Sequence, residues 1–252
     1  MERLCQGCGR CSAACPKGAI VPGAGVYRID REKCDGCGEC VKACYYGALV
    51  KYGEEMTARE VFEKVRRDKI FYDSSSGGVT VSGGEPLLWT GFVTELFGLL
   101  KEEGIGTCVE TCGEVPAEHL AGVMPLTDDF LYDLKLIDED EHRENTGVSN
   151  GRILANARLL SENGAKALFR LPLVPGINDN ERNTERTAAF LNSLGAGMAR
   201  LQLMPFHRMG QSKYAALRMK YETEFLETMK ADEIGRIVEE YRKRGIDCTI
   251  SK

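Results

Sequence analysis

The sequence predicts an α/β protein in two parts, a small cysteine-bound module over residues 1–53 and a partial (β/α) barrel over 54–252. Two observations predict it. Eight of the eleven cysteines crowd into the first 44 residues at a repeated spacing, and from Thr57 short strand patterns alternate with helical ones to the end of the 252-residue chain. Such alternation argues for a parallel sheet with crossover helices, and a run this long argues for a complete or partial barrel.

Composition narrows the function classes. With 43% apolar and 28% charged residues the chain has the balance of an ordinary soluble protein. Its net charge is -5, and no basic run exceeds the RKR at 242–244, so the electrostatic footprint of a nucleic-acid binder is missing. No apolar stretch approaches the roughly 18 residues that span a bilayer, and no signal-peptide core opens the chain. The cytoplasm is therefore the expected compartment, with neither nucleic acid nor membrane as partner. In that reducing setting eleven cysteines call for metal ligation rather than disulfides.

Spacing says which metal. Cys5, Cys8, Cys11 and Cys15 form C-x2-C-x2-C-x3-C, and Cys34, Cys37, Cys40 and Cys44 repeat it 29 residues later, the halves ending alike in CPKGAI and CYYGAL. This duplicated run is the signature of paired [4Fe-4S] clusters, in which the fourth cysteine of each run serves the other cluster. Cys5, Cys8, Cys11 and Cys44 are expected to hold one cluster, and Cys34, Cys37, Cys40 and Cys15 the second. Zinc is the competing account, but structural zinc favours two separated C-x2-C pairs over tight runs of four. Tyr45 stands where the first half has Pro16, a change that touches packing more than ligation. A two-cluster module of this kind carries electrons.

Beyond it, TARE at 57–60 is a capping box opening a helix on Val61, Phe62 and Val65. Strands are predicted at 79–82, 105–110, 130–136, 167–173, 200–205 and 246–250. Helices are predicted at about 91–103 with Gly104 as stop, at 150–163 with Asn150 as N-cap, and at 231–244. In such a barrel, function gathers at the C-terminal strand ends. Gly83, Gly84 and Glu85 follow the first strand, where carbonyls and a carboxylate suit an ammonium group, though an ordinary strand-to-helix turn explains GGEP as well. Asp133 and Lys135 share one strand face, either as a structural ion pair or as a zwitterion site. Arg170 interrupts an apolar strand, for a salt bridge or for a ligand carboxylate. His207 lies on a loop, a weak signal alone. Together these groups suit an amino-acid-like nucleoside.

The segments SGGVTVSGGEP, VETCG, YDLKLID, HRENTGVSNGRILAN, RLPLVPGIND and LMPFHRMGQSKY, in that order behind the two-cluster module, resemble the activating enzymes of glycyl radical enzymes, in the radical S-adenosylmethionine (SAM) superfamily. The resemblance runs over essentially the whole chain and is nearest to the subgroup with a ferredoxin-like insert. It implies reductive cleavage of S-adenosylmethionine to a 5'-deoxyadenosyl radical that takes hydrogen from a glycine of a partner enzyme. An electron donor such as flavodoxin or ferredoxin is implied too, with the ferredoxin clusters relaying electrons. Carried over by position, Gly83, Gly84 and Glu85 meet the methionyl amine, Lys135 and Arg170 its carboxylate, and His207 the ribose. Asp133, Glu110 and Thr111 line the same pocket and hold a monovalent cation. Ser76 and Glu110 depart from the family's usual glycine and aspartate.

The family's third, site-differentiated [4Fe-4S] cluster sits on a C-x3-C-x2-C loop, and the sequence has none: after Cys108 and Cys112 position 115 is Val. The expectation is therefore a barrel missing its first strand and catalytic cluster loop, in an activase shortened at its start. The alternatives are one subunit of a split activase and a non-catalytic iron-sulfur electron carrier.

Overall fold

The computed structural model describes residues 2–23, 26–217 and 219–251. The chain forms two compact units, one of Met1–Glu55 with Lys213–Met219, the other of Met56–Ser212 with Lys220–Lys252. The first division follows Glu55, and the sequence pattern sets it after residue 53. The return of Lys213–Met219 to the first unit has no counterpart in the linear pattern, which assigns those residues to the barrel.

The first unit repeats itself as its cysteines do. Each run leads through a left-handed glycine, Gly9 or Gly38, into one helical turn, α1 (Arg10–Ala13) and α2 (Glu39–Lys42). After each turn the backbone doubles back on its own thiol: Ala19 N-H donates to Cys15 Sγ at 3.3 Å and Ala48 N-H to Cys44 Sγ at 3.2 Å. Strands β1 (Ile20–Pro22) and β2 (Tyr27–Ile29) pair antiparallel, Ile20 opposite Ile29.

The second unit begins at the capping box. Thr57 Oγ1 accepts from Glu60 N-H at 3.2 Å while the Glu60 carboxylate accepts from Thr57 N-H at 2.8 Å, and α3 (Ala58–Val65) buries Phe62. After α4 (Lys69–Ser75) come six parallel strands in sequential order. They are β3 (Gly78–Val81), β4 (Gly106–Thr111), β5 (Asp129–Asp133), β6 (Ala167–Leu173), β7 (Arg200–Pro205) and β8 (Asp247–Ile250). Between them lie α5 (Thr90–Glu102), α6 (Ala117–Val123), α7 (Glu139–Thr146), α8 (Gly151–Glu162), α9 (Glu181–Ser193), α10 (Gln211–Leu217) and α11 (Ala231–Lys243). Sequential order with crossover helices is what right-handed βαβ connections produce when they turn one way. Among the described residues β3 and β8 each have a single neighbour, so the sheet is an open arc.

Side-chain period sorts the sheet into two faces. Val109, Phe130, Tyr132, Phe169, Leu171, Leu201, Leu203 and Cys248 alternate into the buried core with the helices. Tyr132 stacks edge-on to Phe169, centroids 5.6 Å apart, and its buried hydroxyl donates to Ile153 O at 2.6 Å. The residues between them, among them Cys108, Glu110, Leu131, Asp133, Arg170 and Gln202, form the inner face and are only half-buried.

Two expectations shift. β5 ends at Asp133 rather than at 136, because its ladder to β6 stops there, Asp133 opposite Arg170. Asn150 precedes α8 but makes no side-chain cap; its amide donates to Leu136 O at 3.1 Å and Ile137 O at 2.8 Å instead.

Candidate active site and cluster ligands

The eight clustered cysteines fall into two sets within the first unit. Burial pushes the Cys11 thiol up, and Cys44 and Cys5 push it further. Cys40 is raised by burial and then by Cys34, Cys15 and Cys37. Cys44 thus lies near Cys11 and Cys5, and Cys15 near Cys40, Cys34 and Cys37, so the fourth cysteine of each run neighbours members of the other. Among the described residues no three His, Cys, Asp or Glu side chains converge tightly enough to hold a single ion. The N-H groups on Cys15 and Cys44 are the kind of bond that tunes an iron-sulfur cluster.

In the second unit, charge collects at the C-terminal end of the inner face. Asp133, Arg170, Gln202 and Thr249 occupy one row across β5 to β8 by register. Arg170 Nη1 pairs with Glu110 Oε1 from β4, so the ion pair arches over β5. Lys135 Nζ lies 3.6 Å from Asp133 Oδ2. Burial raises the Asp133 carboxyl, opposed by Lys135 and Arg170 and reinforced by Glu110. Two atoms of the cluster are buried without a hydrogen-bond partner, Asp133 Oδ1 and Arg170 Nε. One is an acceptor and one a donor, and both belong to charged groups. Leaving such atoms unpaired is costly unless a ligand or water completes them.

The other expected residues are placed differently. Glu85 is committed to the protein: Oε1 accepts from Leu87 N-H at 3.1 Å and Thr111 Oγ1 at 2.8 Å, and Oε2 accepts from Cys112 N-H at 3.0 Å and Cys112 Sγ at 3.3 Å. It ties the exit of β3 to the exit of β4. Thr111 is buried on the helix side, opposite Glu110, and also accepts from Gly113 N-H at 2.9 Å. Gly83 has φ +147, a region side chains rarely adopt, and space stands open over both Gly83 and Gly84. His207 is exposed, and its Nδ1 accepts from Met209 N-H at 3.4 Å. The structure thus brings Glu110, Asp133, Lys135 and Arg170 together, keeps the two glycines clear, and leaves His207 on its loop.

Several residues escaped the linear reading. Gln202 joins the inner-face row, and the R-L-Q-L-M alternation was the signal that places it there. Three buried asparagines pin the loops around the site. Asn156 donates to Gly113 O at 2.9 Å and Val115 O at 2.8 Å, and Asn178 and Asn183 brace the exits of β5 and β6. Asparagine in a loop or helix carries no pattern that announces this.

Comparison with known proteins gives the family. Residues 33–188 match the radical SAM superfamily, and residues 4–49 match a 4Fe-4S dicluster domain. The trans-4-hydroxy-L-proline dehydratase activating enzyme of Clostridioides difficile is 39% identical over 244 residues, which cover 94% of this chain and 80% of the relative. The chain belongs to the radical SAM superfamily, among the activating enzymes of glycyl radical enzymes. A second relative of this activating-enzyme family, the (2S)-3-sulfopropanediol dehydratase activating enzyme of Klebsiella oxytoca, is 39% identical over 203 residues. The match covers 79% of this chain but 64% of that relative's length. A solved domain of the pyruvate-formate lyase-activating enzyme from Bacteroides vulgatus superposes with TM-score 0.57 at 28% identity, covering 70% of this chain and 99% of the domain. Iron-sulfur clusters and S-adenosylmethionine are thus the cofactor classes of the family to which the chain belongs. Among the described residues no helix is long and apolar enough to cross a membrane.

Proposed function

We propose that the chain binds S-adenosylmethionine on the inner face of its barrel and serves in the activation of a glycyl radical enzyme, with two [4Fe-4S] clusters in residues 1–53 relaying electrons from a donor such as flavodoxin or ferredoxin. The observation that carries this reading is the balanced charge cluster of Glu110, Asp133, Lys135 and Arg170, with one acceptor and one donor left over. A zwitterion with an amine, a carboxylate and a sulfonium complements such a surface. Lys135 and Arg170 face the carboxylate. The carbonyls of Gly83 and Gly84 take the amine, and Asp133 faces the positive end. Glu85 contributes by holding those carbonyls in place. A bound S-adenosylmethionine supplies the radical precursor once an electron arrives.

Binding is the direct test. After anaerobic reconstitution, equilibrium dialysis with labelled S-adenosylmethionine should show saturable binding that Arg170→Met weakens by about tenfold or more, the worth of one charge-assisted bond. A protein that takes up about eight irons yet shows no saturable binding would instead be an electron carrier. Cleavage is a less direct readout, because it also needs the three cysteines of a C-x3-C-x2-C run.

A further inference from the structure

We propose that Asn178 is a positioning residue for Lys135, fixing the lysine backbone so that its ammonium group is presented to the ligand carboxylate; this rests on the cofactor reading above. The ladder between β5 and β6 gives out at the site. Its last ladder pair is Asp133 with Arg170, and Leu134 N-H still reaches Arg170 O at 2.8 Å. Lys135 is the next residue, and among the described residues no strand receives its carbonyl. The Asn178 side chain does. Its Nδ2 donates to Lys135 O at 3.0 Å and to Pro172 O at 2.8 Å, while its Oδ1 accepts from Val174 N-H at 2.7 Å.

All three bonds go to main-chain groups at the exits of two neighbouring strands, and Asn178 is 3% exposed. Its carboxamide therefore replaces the missing ladder, holding β5 to β6 two residues beyond the last ladder pair. Asn183, 2% exposed, extends the brace: Oδ1 accepts from Ile137 N-H at 3.3 Å and Nδ2 donates to Asn178 O at 3.2 Å. Only a carboxamide presents two donors and an acceptor in one plane at this size. Aspartate would set an anion against two carbonyl oxygens. Leu134 and Leu136 anchor the flanks in the core, at 2% and 3% exposure, so Lys135 has little freedom except through its carbonyl.

A double-mutant cycle tests whether Asn178 acts through Lys135. On the reconstituted chain, dissociation constants for S-adenosylmethionine are measured for the parent, Lys135→Met, Asn178→Ala and the double variant, with thermal stability alongside. Lys135→Met is expected to weaken binding about tenfold or more, and Asn178→Ala severalfold. The double variant should bind as Lys135→Met does, and 5'-deoxyadenosine, which lacks the carboxylate, should bind all four alike. Additive losses, or an equal loss for 5'-deoxyadenosine, would overturn the proposal and leave the cofactor reading standing. An unchanged affinity in Lys135→Met, or no binding by the parent, would overturn the cofactor reading and this role with it. Should Asn178→Ala not fold, Asn183→Ala takes its place in the same cycle, with a smaller expected loss and the same non-additivity.

Discussion

Replacing Glu85 with glutamine keeps its shape and removes one acceptor, and the structure says what that costs. The carboxylate receives four donors, two on each oxygen. If the new NH2 group takes the place of Oε1, Thr111 can turn its hydroxyl to accept, but Leu87 N-H is left facing a donor. If it takes the place of Oε2, the Cys112 thiol is a weak acceptor at best and Cys112 N-H loses its partner. Either orientation strands one backbone N-H and trades charge-assisted bonds for neutral ones, at about 2–4 kcal/mol. For a unit of this size that corresponds to a fall in melting temperature of roughly 5–15 °C. Thermal unfolding under anaerobic conditions measures it. The same variant should weaken S-adenosylmethionine binding although Glu85 has no acceptor left for the ligand, because the carbonyls of Gly83 and Gly84 drift when the β3 exit is released. A fall below about 2 °C with unaltered binding would refute the fastening role.

Three further sets of substitutions probe other parts of the same reasoning. Gly113 has φ +71, and a Cβ there would lie 1.7 Å from Tyr132 Oη; Gly113→Ala should destabilise by about 2–5 kcal/mol, and Tyr132→Phe in the same chain should recover part of that in denaturant unfolding. Burial holds the Asp133 carboxyl above its ordinary value, so the folded chain keeps that proton to higher pH than the unfolded one. Its contribution is therefore full below the ordinary carboxylate range and is lost as pH rises through the raised folded value; Asp133→Asn should flatten that decline in a stability-against-pH series. Cys44→Ser and Cys15→Ser should each halve the iron content, to about four per chain. Adding Cys5→Ser should remove the remaining cluster in Cys15→Ser but not in Cys44→Ser, by iron analysis and electron paramagnetic resonance.

The features legible in the sequence are those with a short period. Alternation located all six parallel strands, and β6 and β7 begin and end where A-L-F-R-L-P-L and R-L-Q-L-M-P begin and end. Cysteine spacing separates eight thiols into two runs, and the thiols that raise Cys11 and Cys40 come from both runs. What stayed hidden depends on distant residues. The pattern of β5 runs on through buried Leu134 and Leu136, yet the strand stops at Asp133 because a carboxamide 43 residues on from Lys135 takes over its bonding. Asn150 sits where an N-cap belongs, and only the folded chain shows its amide spent on Leu136 and Ile137. Glu85 is the same kind of case: as a carboxylate in a turn it suits a ligand amine, but Thr111 and Cys112, 26 and 27 residues away, occupy it.

The inner-face charges also compensate one another. Two anions and two cations stand together, Glu110 on Arg170 and Asp133 near Lys135, so none is left as an isolated buried charge. A zwitterion can then enter by exchange: its carboxylate replaces or joins Glu110 and Asp133 as the partner of Arg170 and Lys135, and its cationic groups compensate the acids. S-adenosylmethionine, with an ammonium, a sulfonium and one carboxylate, would add one net positive charge, and on the proposed reading the two unpaired atoms, Asp133 Oδ1 and Arg170 Nε, would gain partners. A ligand carrying both signs would offer a counter-charge to the acids and the bases of the row alike, whereas a simple anion would meet only the bases. Removing one charge should cost more affinity than removing a matched pair: Glu110→Gln with Arg170→Met is expected to bind S-adenosylmethionine better than Arg170→Met alone, measured by the same dialysis.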